Sequence, residues 1–270
     1  MTASLSVSVV TYAPDLEVVR ETLRTLGTAI RHAQASGALA QATVTVVDNG
    51  PGLGYAEPLR QLEPTLRYAV ISGHGNVGYG AGHNLALRSS DAGFHLVLNP
   101  DVALAPEAID EALRYMTAHP NVVILAPEAR DPSGAPLYLC KRYPSLLDLL
   151  LRGFAPAAVK RLFQFRLERY EMRELPRDRP STGIPILSGS FMFCRRAPVA
   201  EIGGFSDAFF LYFEDFDLSI RAAARGQLAW VPSVRIVHRG GDAARKGLRH
   251  IVLFVRSAIV FFNRHGWKWA

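Results

Sequence analysis

GHGNVGYGAGHNLALRSSDAGFHLVLNPDV, residues 73–102, runs from a glycine-rich turn (73–78) through a helix (78–90) into an apolar strand (94–102). The run LRYAVIS (66–72) just before it reads as another strand. Strand, helix and strand in close succession make a βαβ unit, whose two strands lie parallel and whose crossover is right-handed. The same rhythm extends in both directions. Upstream stand the strand LSVSVVTY (5–12), a helix over 14–34 with Leu16, Val19, Leu23, Leu26 and Ile30 on one face, and the strand ATVTVVDNG (42–50). Downstream stand a helix over 106–120 and the strand NVVILAP (121–127). The spacing predicts an α/β fold with a mainly parallel central sheet flanked by helices. Such sheets bind ligands beyond the carboxyl ends of their strands. Here those ends are Thr11 and Tyr12, Asp48 and Asn49, Ser72 and Gly73, and Asn99 to Asp101.

The rhythm changes after residue 128. Residues 145–180 mix leucines and phenylalanines with Lys160, Arg161, Arg166 and Arg169. A strand over 184–196 follows, then GGFSDAFFLYFEDFDLSIRAAARG (203–226), a strand ending on His238, and an apolar, basic tail. With 270 residues, 49% of them hydrophobic and 20% charged, the chain can bury a substantial core. Its net charge of +6 suits an anionic partner such as a nucleotide, a phospholipid surface or nucleic acid. Cys140 and Cys194 lie in no metal-binding spacing and are expected as plain thiols of a reducing compartment. The first residues enter a strand without a charged n-region or a small-residue cleavage site, so a cytoplasmic location is expected.

Several short motifs carry candidate chemistry. GHGNVG fits G-x-G-x-x-G, but it follows the third strand, whereas a dinucleotide fingerprint follows the first strand of its unit. Asp101, 23 positions after Gly78, does end the next strand. A dinucleotide loop, a turn that needs positive φ, and a loop that lets a nucleotide approach the backbone all remain open. Asp48 in VVDNG is either part of an Asp-Asn-Gly turn or a carboxylate able to accept the N3–H of a pyrimidine base. Asp101, stiffened by Pro100, is placed to hold a hard cation that bridges two phosphates. His238 reads as structural unless it faces Asp101.

Residues 209–217 set four aromatic side chains before Glu214, Asp215 and Asp217. A helix is expected over 215–225, closed by Gly226 at C′, with Asp217 and Arg221 paired at i, i+4. Glu214 and Asp215 lack a local partner. Phe209, Phe210, Tyr212 and Phe213 would give them low-dielectric walls beside a ring-binding surface. Desolvation raises a carboxylate's pKa and makes it a better general base.

SVVTY, VVDNG, GNVGYGAGHNLAL, LNPDV, LSGSFMFCRR, GGFSDAFFLYFEDFDLSIRAAARG and VHRGG, taken in that order, resemble glycosyltransferase family 2, which has the GT-A fold. The resemblance covers most of residues 5–266 and is nearest the rhamnosyltransferase-like branch, which builds bacterial surface polysaccharides. It implies a GT-A domain over 1–242, with a nucleotide-binding half (1–127) and an acceptor and catalytic half (128–242), followed by an amphipathic helix in 243–270. It implies that Thr11, Tyr12 and Asp48 hold base and ribose, that Asn76 and Gly78 line the nucleotide pocket, and that Asn84 supports it. Asp101 and His238 would hold Mg2+ or Mn2+ on the diphosphate. Asn99 stands where many GT-A enzymes carry an aspartate, and it offers only a neutral amide. Asp215 would be the base of a single inverting displacement, with Glu214 beside it. The implied donor is a dTDP- or UDP-sugar, dTDP-L-rhamnose foremost, and the acceptor a glycan or lipid-linked hydroxyl, with no nucleic acid involved. A nicotinamide-dependent oxidoreductase and a non-catalytic sugar-nucleotide binder are the competing classes.

In the tail, Arg245, Lys246, Arg249, His250, Arg256, Ser257, Asn263 and Arg264 recur as a polar stripe between apolar runs. The expected helix is too short and too interrupted to span a bilayer. Its apolar face can lie on the inner surface of the cytoplasmic membrane, pack on the core, or form a homodimer contact.

Overall fold

The computed structural model describes residues 3–51, 55–240 and 247–270. Strand β1 (Ala3–Thr11) leads to helix α1 (Leu16–Ala35), which Asp15 caps by accepting from the N–H groups of Glu17 (3.0 Å) and Val18 (3.5 Å). Then come β2 (Leu39–Asp48), α2 (Ala56–Arg60), β3 (Ala69–Ile71), α3 (Tyr79–Arg88), β4 (Phe94–Leu98), β5 (Val102–Leu104), α4 (Ala108–Ala118) and β6 (Val122–Arg130). The later chain adds β7 (Pro136–Leu137), β8 (Cys140–Lys141), α5 (Leu146–Phe154), α6 (Ala157–Leu162) and α7 (Gln164–Tyr170). It ends with β9 (Ser181–Thr182), β10 (Ile186–Leu187), β11 (Phe191–Arg195), α8 (Arg196–Glu201), α9 (Glu214–Ala223), β12 (Gln227–His238) and α10 (Leu248–His265).

The main sheet has the order β3-β2-β1-β4-β11-β6-β12-β5. Strands β3, β2, β1 and β4 are parallel neighbours, as are β6 and β12. Strand β11 runs antiparallel between β4 and β6, and β5 runs antiparallel on the edge beside β12. The sheet is therefore mainly parallel, as the βαβ pattern predicts. Because β11 inserts between two strands of the first half, residues 1–127 and 128–242 share one sheet. The 242/243 boundary lies outside the described residues.

Side-chain alternation sorts the core into layers. Leu5, Val7, Val9, Leu96 and Leu98 face α1 and α4, where Leu23 and Leu26 are fully buried. Burial of each such leucine contributes about 1.5–3 kcal/mol. Val97, Met192 and Cys194 face the other way, onto α3, α8 and α9. A third cluster joins Leu149 of α5, Ile186, Phe209 and Phe213 to Ala258, Phe261 and Phe262 of α10. Both cysteines are free and buried, and burial pushes the Cys140 thiol up to about 12.

Three expected elements differ in the structure. The strand expected over 94–102 stops at Leu98. Pro100 cannot donate to a ladder, the Asn99 N–H goes to the Ser190 carbonyl (2.9 Å), and the chain leaves to pair Val102 with His238 on the far edge. The strand expected over 184–196 is two strands. Ile186 and Leu187 pair with β8, and the break at Gly189 turns its N–H toward Asp215. Helix α9 spans 214–223, and Gly226 does not close it in the left-handed region. A Cβ at Gly226 would lie 2.5 Å from both the Asn121 carbonyl oxygen and Val123 Cγ2, so close approach to β6 is what requires glycine there.

On the α3 side of β1, Ser6 and Ser8 are buried among imidazoles. Ser6 Oγ lies 2.7 Å from His95 Nδ1, and Ser8 Oγ lies 2.9 Å from His95 Nε2 and 2.7 Å from His83 Nδ1. Burial, with a contribution from His95, lowers the pKa of His83, and burial, with Arg196, lowers that of His95 to about 3. An unfolded histidine titrates near 6.5. Between those values the unfolded chain binds more protons, so this stability is complete above about pH 6.5 and is lost as pH falls. The expected cost is about 1.4 kcal/mol per histidine per pH unit in that window. Thermal melts should drop between about pH 7 and pH 5, and His95→Gln should flatten the slope. An unchanged slope in that variant would count against the network as its source.

Candidate active site

The parallel strands deliver their carboxyl ends to one edge. Thr11 and Asp48 are register partners at the tips of β1 and β2, and the Thr11 hydroxyl donates to Asp48 Oδ1 (3.3 Å). The Gly50 N–H reaches the same oxygen (3.0 Å), while Oδ2 is buried with no partner. That oxygen is an acceptor left for a ligand's donor group. Tyr12 is exposed beside it. Asn49, read in the sequence only as a strand end, ties down the glycine-rich turn. Its Nδ2 donates to the Gly78 carbonyl (2.9 Å), and its Oδ1 meets His74 Nε2 at 2.9 Å.

Within the turn, exposed Asn76 accepts from the Gly78 N–H through Oδ1 (3.1 Å). Gly78 has φ +93°, and a Cβ there would sit 2.5 Å from the Phe210 carbonyl oxygen. The Tyr79 N–H donates to that oxygen (3.0 Å). Gly78 thus lets the turn touch the segment before α9. Asn84 is buried in α3 and spends both polar groups on Phe205: Nδ2 donates to its carbonyl (2.8 Å) and Oδ1 accepts from its N–H (2.9 Å). It supports the site by clamping 203–205 and has no group free for a ligand.

Asp101 and His238 meet at the break after β4, with Asp101 Oδ1 3.2 Å from His238 Nε2. The contact falls outside hydrogen-bond angles, so that buried oxygen keeps its lone pairs. Burial pushes the Asp101 carboxyl up, but His238 and backbone N–H groups outweigh it and hold it below the usual range. Two protein donors suit Mg2+ or Mn2+, which complete their shells with substrate phosphates and water. Among the described residues no three His, Cys, Asp or Glu side chains converge into an all-protein cage. Asn99 Oδ1 accepts from the Tyr79 hydroxyl (2.7 Å), and its Nδ2 lies 3.4 Å from His238 Nε2, so Asn99 sits against the pair as a neutral amide.

The acidic cluster sits at the amino end of α9, where the helix dipole favours carboxylates. Tyr212 (φ +70°) and Phe213 (φ +64°) both adopt left-handed backbone, uncommon for bulky residues and costing about 1–3 kcal/mol each. This strain turns Glu214 and Asp215 toward the sheet edge. Glu214 is 5% exposed with Oε2 unpartnered; burial, then the charge of Asp215, raises its pKa well above the usual carboxylate range. Asp215 is half-buried. Burial raises its pKa too, opposed by the N–H groups of Gly189 (2.8 Å to Oδ2) and Phe216 (2.9 Å to Oδ1) and by the charge of Arg152. The two environments differ: the buried Oε2 of Glu214 has no donor, while Asp215 keeps N–H donors that favour its ionised form.

Of the four aromatic side chains expected to form a ring-binding surface, Phe210 and Tyr212 are half-buried and two are withdrawn from it. Phe209 and Phe213 are buried, and Phe213 packs on Phe254 and Phe261 of α10. Apolar α10 supplies a better partner for these rings than an open cleft, and their role is to desolvate Glu214. Asp217 pairs with Arg221 at 2.7 Å as the spacing predicts, and it also binds Arg264 and His265 of α10 at 2.9 Å each.

Tyr79 connects the two groups of charges. Its hydroxyl lies 2.7 Å from Asn99 Oδ1 and 2.7 Å from the Gly189 carbonyl, and Gly189 in turn binds Asp215. Burial and the charges of Glu214, Asp215 and Asp101 raise its pKa well above normal. Sequence reasoning missed Tyr79, Gly189, Ser190 and Arg152. For Gly189 and Ser190 the signal was the Ser-Gly-Ser break in an otherwise apolar run; Tyr79 and Arg152 carried none.

Comparison with known proteins adds to this geometry. The family model for glycosyl transferase family 2 matches residues 6–203. The whole chain aligns, at 30% identity and over 87% of the relative, with N-acetylglucosaminyl-diphospho-decaprenol L-rhamnosyltransferase of Mycobacterium tuberculosis. It is 25% identical to rhamnosyltransferase WbbL of Escherichia coli K12 over 62% of each chain. Among solved structures, mannosyltransferase PcManGT from Pyrobaculum calidifontis, in complex with GDP-Man and Mn2+, superimposes with a TM-score of 0.62 at 17% identity, over 96% of this chain and 65% of that one. At that identity the likeness speaks for the fold alone, which is GT-A.

Proposed function

The chain belongs to glycosyl transferase family 2, and we propose that this glycosyltransferase moves L-rhamnose from dTDP-L-rhamnose, with inversion, to a hydroxyl of a lipid-linked glycan acceptor in bacterial surface polysaccharide synthesis. The observation that carries this reading is the ring of buried, unpartnered polar atoms at the carboxyl edge: Asp48 Oδ2, His74 Nδ1, Asp101 Oδ1, Ser190 Oγ and Glu214 Oε2. An unpartnered buried polar group costs about 1–3 kcal/mol, so such a ring is expected where a polar ligand completes the bonding. The relatives' names supply the sugar and the acceptor class.

In this reading Asp48 and Thr11 hold the base and ribose, with Tyr12 over them and the 73–78 turn along the nucleotide. Asp101 and His238 hold the divalent cation. When bound, Mg2+ or Mn2+ neutralises the charge that builds on the leaving diphosphate. Asp215 accepts the proton of the acceptor hydroxyl as that oxygen attacks the anomeric carbon opposite the leaving group. Burial of Glu214 disfavours a second charge beside it, and Tyr79 fixes the distance between the diphosphate and the base. Alignment of the two substrates supplies much of the acceleration. An oxidoreductase reading of GHGNVG is set aside by the family match, and a pure binder has no use for a desolvated carboxylate at this position.

A donor screen with purified protein tests the reading. Release of nucleoside diphosphate across dTDP-, UDP- and GDP-sugars should be fastest with dTDP-L-rhamnose. A clear preference for UDP-galactose or UDP-N-acetylglucosamine would overturn the donor.

A further inference from the structure

Helix α10 is apolar on two sides. Ala258, Phe261 and Phe262 face inward onto the Phe209 and Phe213 cluster. Leu248, Val252, Val255 and Ile259, at i, i+4, i+7 and i+11, form an outward stripe and are 82%, 65%, 47% and 46% exposed. A helix that only closed the core would be polar on that second side. The stripe does not stand alone. On α5 to α7, Leu150, Phe154, Leu162 and Phe165 are also exposed, the last two by 80% and 81%. The chain after α10 joins the two surfaces: the N–H groups of Leu146 and Leu147, in the first turn of α5, donate to the carbonyls of Lys268 and Trp269. Trp267 and Trp269 lie exposed and stacked at that junction, ring centroids 5.7 Å apart.

Charge identifies what covers this surface. Arg249 and Arg256 flank the α10 stripe and are exposed, as is Arg161 on α6. Residues 247–270 contain no Asp or Glu. A second copy packed through the same face would bring its own cations against Arg249 and Arg256, and like charges across an interface are unfavourable. An anionic phospholipid surface offers the complementary charge, an apolar layer for the stripe and an interfacial depth that suits tryptophan. No described helix is long and apolar enough to cross a membrane, so the contact is in the plane of the interface.

We propose that the outer face of α10, continued by α5 to α7 and the Trp267–Trp269 pair, docks the protein on the surface of an anionic bilayer. Phe254 and Phe261 of the same helix pack directly on Phe213, the residue before Glu214. Docking therefore sets the acidic pair about one helix diameter, roughly 10 Å, from the lipid surface. The benefit for a lipid-linked acceptor rests on the proposed function; the docking itself does not.

Flotation of the full chain with phosphatidylglycerol-containing vesicles and with pure phosphatidylcholine vesicles tests this, beside donor hydrolysis in solution. The wild type should float with the anionic vesicles at low salt, less at high salt, and less with the neutral ones. Val252→Glu with Val255→Glu, both on the exposed stripe, should reduce flotation by roughly tenfold or more and leave the melting temperature and donor hydrolysis unchanged. Folded wild type that ignores anionic vesicles at low salt overturns the proposal. So does a concentration-dependent dimer that the double substitution dissolves. Loss of hydrolysis with every donor while flotation persists would refute the functional reading and leave the docking surface standing.

Discussion

Asp215→Asn should lower sugar transfer by about 10²–10⁴-fold while donor affinity changes little, because the amide keeps the side chain's shape and cannot accept a proton. Its hydrogen-bond partners are two backbone N–H groups, those of Gly189 and Phe216, so the variant should stay within about 1–2 kcal/mol of wild-type stability. Loss of activity then reads chemistry, not unfolding. Glu214→Gln separates the two carboxylates. Burial raises the pKa of Glu214 and favours its neutral form, for which Gln is a near isostere, so this variant should keep more than about a tenth of the rate. The pH profile has a definite sign. Asp215 must be ionised to act, and burial raises its pKa. The transfer rate should therefore fall on acidification at a pH above the usual carboxylate range, and Asp215→Asn should lose that limb. An Asp215→Asn enzyme that keeps more than about a tenth of wild-type kcat would remove Asp215 from the role of base.

Asp101→Ala and His238→Ala should each weaken donor binding by roughly 10- to 100-fold, the loss expected for one charged contact. Each should also blunt the response of donor binding to Mg2+ or Mn2+. Calorimetric titration of the donor, with and without the cation, reads both effects. The two substitutions should not add, because the side chains meet at 3.2 Å and would serve one ion. Asn99→Asp supplies a further test. It puts an oxygen where Nδ2 now faces His238, while the other oxygen can still accept from Tyr79, so it should tighten cation binding if Asp101 and His238 hold the ion. Full wild-type activity in excess EDTA would sink the cation role altogether.

Much of this was legible before any coordinates. The 3.6-residue period of Val19, Leu23, Leu26 and Ile30 and the apolar strands around them were enough to specify a parallel sheet with helices on its faces. The sheet in turn specified that Thr11, Asp48 and Asp101 would share an edge. The Asp217 and Arg221 pair followed from one turn of helix. Each of these depends on neighbours within a few residues, or on a rule that holds for every parallel sheet.

The remainder depended on contacts between distant segments. Nothing local distinguishes Tyr79 from an ordinary helix-start tyrosine; it bridges Asn99 and Gly189 only because β11 inserts beside β4. The approach of His238 to Asp101 required β5 to cross to the far edge of the sheet, because Pro100 cannot continue the β4 ladder. Asn84 and Gly226 have the composition of a ligand-binding amide and a helix cap, yet one clamps Phe205 and the other makes room for β6. Asp217 shows the division in one side chain: Arg221 was set by the helix repeat, whereas Arg264 and His265 reach it from α10. The repeat of a chain fixes which faces are apolar and which residues share a turn. Which faces meet is decided by the packing of the whole sheet, and that packing brings Asp101 and His238 together and links them through Tyr79 and Gly189 to Asp215.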